Sequence, residues 1–152
     1  MKHVEFATQA QQDCYERIKP WLKEMFGDLV MERDEAPAFA VTHIGSQLTH
    51  IVVYPWGSDD AVVSVRSWVV TGLEADKELD SYLIRENANM RFGAFAVDSD
   101  NDIVFEHAIV GSTCDKGELK ASVMAVLMTA DKYDDEIVSR WGGRTALDML
   151  KG

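Results

Sequence analysis

The sequence predicts an α+β domain with an antiparallel sheet, its elements in the order α-β-β-β-α-β-β-α. Apolar residues recur at helical spacing in three separate segments, and segments rich in β-branched residues or in strand-like alternation lie between them. Short polar turns join neighbouring strands, as in an antiparallel sheet. The length of 152 residues is that of one ordinary domain, so we expect a single domain over residues 1–152.

The composition is that of a globular protein, with 47% apolar and 27% charged residues. The formal net charge of −11 disfavours binding to nucleic acid and to anionic lipid, since both need a basic surface. The first residues lack the apolar stretch of a signal peptide, and no window approaches the roughly 18 apolar residues of a membrane span. We therefore expect a cytoplasmic protein, and a reduced interior explains Cys14 and Cys114 without special chemistry.

The first half of the chain predicts one helix followed by strands. Apolar spacing favours a helix over residues 10–25, in which Pro20 predicts a kink or a late start and Gly27 a stop. Residues 29–33 fit a short extra strand. Three longer strands are expected at residues 38–44, 48–56 and 60–71, the first two joined by a hairpin turn at residues 45–47.

The second half predicts a helix, two strands and a final helix. Thr71 and Glu74 have the spacing of a capping box, so a helix is expected to follow them. Asp115 caps a long last helix that runs to about residue 140. Between these helices we expect strands at residues 90–97 and 103–110, joined by a polar loop over residues 98–102.

Side chains alternate across a strand, so each strand offers two faces. A two-residue turn at Ser46-Gln47 would place His43 opposite His50. One face, suited to helix packing, then carries Ala40, Thr42, Ile44, Ile51 and Val53. The other face carries Phe39, Val41, His43, His50, Val52 and Tyr54. This second face is covered either by a partner outside the chain or by a helix or the C-terminal tail of the same chain.

Two groups of residues suggest chemistry. The facing pair His43 and His50, with His107 as a third ligand, would suit a transition metal. No carboxylate is placed to orient either ring, and ordinary partly buried histidines explain the pattern better. Cys114 precedes a helix start, where the macrodipole would lower the thiol pKa. A small-molecule or metal-binding sensor or enzyme is therefore the alternative function.

Asp98, Asp100 and Asp102 alternate as in the first half of a calcium-binding loop. An EF-hand loop needs glycine at its sixth position and glutamate at its twelfth, and Ile103 and Ile109 stand there. A solvated turn accounts for the three aspartates. The sequence also lacks the hydrolase-elbow, metalloprotease, dinucleotide-loop and P-loop motifs, so we expect no enzymatic activity and no cofactor.

Several segments, taken in order, resemble one protein family. They are the strand at residues 62–70, the segment 86–95, the turn 98–102, the strand 103–109, and Glu118-Leu119 near the start of the last helix. In this order they resemble the YbjN family, a branch of the type III secretion chaperone-like superfamily. The resemblance implies a chaperone-like fold that is often dimeric, no catalytic residues, and binding to polypeptide segments.

The resemblance and the second sheet face together predict a non-enzymatic protein-binding module, chaperone-like or regulatory. Tyr, Trp and Arg are enriched at interface cores because each joins a large contact area to a hydrogen-bonding group. We expect a partner segment to bind an amphipathic sheet face or helix groove around Phe39, Tyr54, Arg66, Trp68 and Phe95. The partner would be a protein or peptide, and the chain itself a homodimer.

Overall fold

A computed structural model describes residues 3–44, 47–146 and 148. The helices in this part of the chain are α1 (Gln9–Phe26), α2 (Lys77–Asn87) and α3 (Lys116–Trp141), with a 3₁₀ turn at Gly27–Leu29. The strands are β1 (Val30–Glu32), β2 (Ala38–Ile44), β3 (Gln47–Trp56), β4 (Asp60–Val70), β5 (Ala94–Val97) and β6 (Ile103–Val110). The predicted order is confirmed, with β1 as the short extra strand.

The strands form one antiparallel sheet in the spatial order β1-β2-β3-β4-β6-β5. β4, the longest strand, lies between β3 and β6, while β1 and β5 are short edge strands. The helix α2 connects the central strand β4 to the edge strand β5. The predicted α+β class is therefore correct.

The helix ends follow local capping chemistry, with one correction. α1 continues through Pro20 to Phe26 and is capped by Gly27, whose φ of 54° needs glycine's freedom. The capping box predicted at Thr71 is wrong. Asp76 caps α2 instead, accepting a hydrogen bond from the Leu79 amide at 2.9 Å, while the backbone of Thr71 pairs with that of Arg144.

β5 is shorter than the predicted strand over residues 90–97. Gly93 adopts φ 79°, and a Cβ there would lie 2.5 Å from the Glu106 carbonyl oxygen. The strand therefore begins only at Ala94. Asn87, the last residue of α2, lies beside the outer edge of β5. Its side-chain amide accepts a hydrogen bond from the Phe95 N–H at 2.7 Å and donates one to the Phe95 carbonyl at 3.2 Å. Asn87 thus satisfies backbone groups at this junction.

The core lies between one sheet face and the helices. Tyr15 of α1 stacks on Phe39 at 4.7 Å between ring centroids, and Phe95 packs edge-on against Phe105 and against Tyr133 of α3, each at 5.0 Å. α2 joins the same layer, since Tyr133 donates a hydrogen bond to Glu86 at 2.7 Å. None of the helices in the described ranges is both long and apolar enough to cross a membrane.

The predicted register of the first hairpin is wrong. Ala40, not His43, is the partner of His50, and Phe39 pairs with Ile51. Gly45 and Ser46, where the turn was expected, lie outside the described residues. The register shifts between Val41 and Ile44. Because the change is an odd number of residues, Phe39 moves to the helix-covered face, where it is only 1% exposed.

Candidate functional site

The helices α1, α2 and α3 pack on one face of the sheet and none of them lies on the opposite face, although Ala40 and Val104 there are each only 1% exposed. We call this opposite face the uncovered face. One cross-strand row spans all six strands there, and its successive partners are Met31, Ala40, His50, Arg66, Glu106 and Ala94. Since side chains alternate, the same face also carries Leu48, Val52, Tyr54, Trp56, Ser64, Trp68, Val104 and Ala108. This surface is amphipathic, with its charges confined to a few positions.

An ion pair marks the centre of the uncovered face. The Nε and Nη2 atoms of Arg66 donate to one carboxylate oxygen of Glu106, at 2.8 and 2.6 Å. Both side chains remain partly exposed, so the pair is screened by solvent and adds little stability by itself. The guanidinium of Arg66 has further N–H donors arranged in a plane, and these suit a carbonyl or carboxylate of a partner.

Beside the ion pair lies an aromatic contact. The rings of His50 and Trp68 meet edge-to-face with centroids 4.8 Å apart. Burial, followed by the charge of Arg33, lowers the pKa of His50, which favours the neutral ring at pH 7. The Nε2 atom of His50 is buried without a hydrogen-bond partner among the described residues. This atom is a polar group left unsatisfied beneath the surface.

Large apolar side chains extend the surface on both sides. Tyr54 is 52% exposed and Trp56 is 57% exposed at one end of β3, and Met31 projects from the edge strand β1. Exposed Tyr, Trp and Met near an Arg match the residue types enriched in interface cores. The uncovered face therefore has the composition of a recognition surface.

Of the five residues predicted to bind a partner, the uncovered face brings together Tyr54, Arg66 and Trp68. Phe39 and Phe95 are instead buried in the core on the opposite side, in contact with Tyr15 and Tyr133. Their placement in the binding surface was wrong because it depended on the hairpin register and on the face of an edge strand.

Both the sequence and the fold of the chain resemble known proteins. A family model described as "T3SS (YopN, CesT) and YbjN peptide-binding chaperone 1" matches residues 12–149. The chain belongs to this family. The expected relation to the YbjN and type III secretion chaperones is thereby confirmed, and family membership supports a protein-binding chaperone role.

One similar solved structure is the crystal structure of the ExsC-ExsE complex. The TM-score is 0.64 with 10% sequence identity, over 82% of this chain and 93% of that chain. At this identity the likeness establishes the shared fold alone. No curated protein matches the chain.

The described structure does not support the alternative of a metal site built from histidines. His50 pairs with Ala40 on the uncovered face, whereas Nδ1 of His107 lies 2.7 Å from the Ser122 hydroxyl of α3 on the other face. A sheet separates these two rings, so they cannot share an ion. The side chain of His43 is outside the described residues. No histidine of the described chain belongs to a group with metal-ligand spacing.

Cys114 does not behave as the helix-start argument predicts. Burial, followed by the charge of Glu118, raises its pKa from 9.0 to about 11. Burial also raises the pKa of Cys14. Desolvation therefore outweighs the macrodipole of α3, and both buried thiols are held in the protonated, unreactive form.

The three aspartates at residues 98–102 form the expected turn. One carboxylate oxygen of Asp98 accepts the backbone N–H groups of Asp100 and Asp102, each at 2.9 Å. The three carboxylates approach within 4.8 Å of one another. Partial burial and the charge of Asp98 raise the pKa of Asp102. Local turn chemistry accounts for these residues.

Sequence reasoning did not identify Met31 and Trp56 as members of the uncovered face. It also assigned His50 the wrong cross-strand partner on β2. A signal for Trp56 is present, since it shares the parity of Tyr54 along β3. Met31 could not be found in this way, because its strand of three residues is too short to show alternation.

Proposed function

We propose that this member of the peptide-binding chaperone family is a non-enzymatic, cytoplasmic protein that holds a segment of another polypeptide on its uncovered face. The observation that carries the proposal is the one-sided packing of a six-stranded sheet. Helices fill one face, and the other exposes Tyr54 and Trp56 and leaves Trp68 and Arg66 partly exposed. A monomeric globular protein rarely leaves such a contiguous surface without a use.

Binding would draw on the two kinds of group that the face offers. Burying apolar area of Trp68, Tyr54 and Trp56 supplies roughly 25 cal/mol per Å². The partly exposed guanidinium of Arg66 would set the position of the segment through hydrogen bonds to its main chain or polar side chains. Apolar contacts would therefore supply the affinity for the segment, and polar contacts would fix its register on the sheet.

The solved structure of similar fold is itself a complex of ExsC with ExsE. This supports a macromolecular rather than a small-molecule partner for the present chain. We also propose a homodimer. Ile84, 70% exposed on α2, is a large apolar side chain that the monomer leaves in solvent, away from the uncovered face. Light scattering of the purified protein should give the mass of two chains, and the mass of one chain would contradict dimerisation.

Charge reversal at Arg66 tests the proposed function. Affinity capture from native lysate with the wild-type chain, read by mass spectrometry, identifies candidate partners. Arg66→Glu breaks the pair with Glu106 and places two like charges in the face, so recovery of the specific partner should fall at least tenfold. The matched control is Lys120→Glu, the same charge change at an exposed position of α3. Equal recovery with both variants means that the uncovered face is not the binding site.

A further inference from the structure

Arg33 adds a cation to the uncovered face, just past the end of β1. Its N–H donates to the Ala38 carbonyl at 2.8 Å, so the pairing of β1 with β2 continues through Arg33. Glu32 projects toward the helices, where Lys19 and Tyr15 of α1 bind its carboxylate at 2.7 and 2.9 Å. Because side chains alternate, the exposed side chain of Arg33 lies on the opposite side of the sheet.

The guanidinium of Arg33 is directed toward the middle of the uncovered face. Burial and, after it, the charge of Arg33 lower the pKa of His50, an effect that requires the two groups to be close. Between them β2 presents Ala38 and Ala40, whose methyl groups are too short to separate Arg33 from His50. Arg33 therefore reaches inward over the sheet from its edge.

Arg33 differs from Arg66 in its pairing. Arg66 is bound to Glu106 at 2.6 Å, whereas no carboxylate in the described part of the chain forms an ion pair with Arg33. The charge of Arg33 is therefore available to a group that comes from outside the described chain.

The described side chains in the interior of the uncovered face carry one more positive charge than negative. Arg33 and Arg66 are positive, Glu106 is negative, and the neutral ring of His50 is favoured at pH 7. The whole chain carries −11, so this surface is more positive than the protein around it. Charges more than about 8 Å away are largely screened at physiological salt, so the groups that touch a bound segment decide which charge it carries.

Acidic side chains lie at the rim of the face. The exposed residues Asp34 and Glu35 follow β1 in the turn to β2. At the far end, the carboxylate of Asp60 accepts from the Ser112 hydroxyl at 2.8 Å, and the nearby charge of Arg17 opposes its own. An anion is therefore favoured in the interior of the face rather than at its rim.

We propose that the polypeptide segment held on the uncovered face carries an acidic side chain, which pairs with Arg33. This rests on the proposed function and names the chemistry of the partner. The planar guanidinium can bind both oxygens of a carboxylate. A lysine or arginine in the same place would meet a like charge, which disfavours basic segments. The uncovered face then distinguishes segments by charge as well as by apolar area.

A peptide display library of random ten-residue segments tests the inference. Selection on the wild-type protein should enrich Asp or Glu at one fixed position relative to the apolar residues of the peptides. Selection on Arg33→Glu should enrich Lys or Arg there, because the charge of the face is reversed. The matched control is Arg85→Glu, the same charge change at an exposed position of α2, which should select as the wild type does. Wild-type selection without acidic enrichment, or the same enrichment on Arg33→Glu, overturns the inference.

One selected peptide, synthesised with Glu, Gln or Lys at the fixed position, gives the size of the effect. An ion pair with an exposed arginine is weak, so the Glu form should bind the wild type roughly three- to fivefold tighter than the Gln form. Arg33→Glu should bind the Lys form more tightly than the Glu form. Fluorescence anisotropy measures each Kd, and the same order of affinities in wild type and Arg33→Glu contradicts the pairing.

The titration of His50 by NMR reports where the acidic side chain lies. In the free protein Arg33→Gln should raise the pKa of His50, since it removes a nearby positive charge. In the wild type the pKa of His50 should be higher with the Glu form bound than with the Gln form, because a carboxylate beside Arg33 opposes its charge. The two forms bury His50 equally, so desolvation cancels in this comparison. The same pKa of His50 with both forms would place the carboxylate elsewhere and refute the inference.

The proposed function and this inference fail in different ways. If the selected peptides lose binding on Trp68→Ala but show no preference for an acidic residue, the uncovered face binds polypeptides and only the inference fails. If no peptide is enriched, the inference fails. If Arg66→Glu also leaves partner recovery unchanged, the proposed function fails as well.

Discussion

Replacing Trp68 with alanine is expected to weaken binding of the captured partner by about 2 kcal/mol, or roughly 30-fold in Kd. Trp68 lies on the central strand β4, packs edge-on against His50, and is two residues along the same face from Arg66, which pairs with Glu106. A tryptophan at the centre of a recognition surface is the type of residue that dominates binding energy. Titration calorimetry with the purified partner measures the change.

Trp21→Ala is the matched control for this substitution. Trp21 is a partly buried tryptophan on α1, in the helix layer, so its removal is comparable in size but leaves the uncovered face intact. Its Kd should stay within about twofold of wild type when both variants are still folded by circular dichroism. A wild-type Kd for Trp68→Ala, or equal losses for both tryptophans, would rule out the face as the site.

Replacing Phe39 with alanine should lower the free energy of unfolding by about 3–5 kcal/mol, the usual range for a fully buried phenylalanine. Its ring stacks on Tyr15 inside the core. Tyr54→Ala, an aromatic truncation on the uncovered face, should change it by less than about 1 kcal/mol. Urea unfolding of the two variants gives both values.

This comparison of Phe39 and Tyr54 decides the face assignment. The sequence register places the two residues on one face, and the structure places them on opposite faces. A small loss of stability for Phe39→Ala, similar to that of Tyr54→Ala, would mean that the pairing of Phe39 with Ile51 is incorrect. Typical domains are stable by about 5–15 kcal/mol, so the expected loss is easily measured.

Element order was predictable because it depends on local periodicity. The strands β2 and β6 have the predicted bounds, 38–44 and 103–110, and Asp115 caps α3 as its position suggests. The pairing register between strands was harder to predict than the order of the elements. A shift between Val41 and Ile44 changes the pairing by an odd number of residues, and local alternation carries no information about such a shift.

The candidate site shows the same division. Tyr54, Arg66 and Trp68 were placed together correctly because β3 and β4 are long strands whose alternation is unbroken over these positions. Phe95 was misplaced because β5 has only four residues and its start depends on the conformation of Gly93. The end of β6 that β5 leaves unpaired, residues 107–110, was not predictable, since it exists only because β5 is shorter than β6.

The most direct test of the central claim is an NMR titration of the ¹⁵N-labelled chain with its captured partner. The partner should perturb the indole N–H of Trp68 and the amides of Tyr54 and Arg66, while those of α1 and of exposed Met128 on α3 stay unchanged. Perturbations confined to the helix layer, with Trp68 and its neighbours unaffected, would contradict the claim that the open side of the sheet receives the polypeptide.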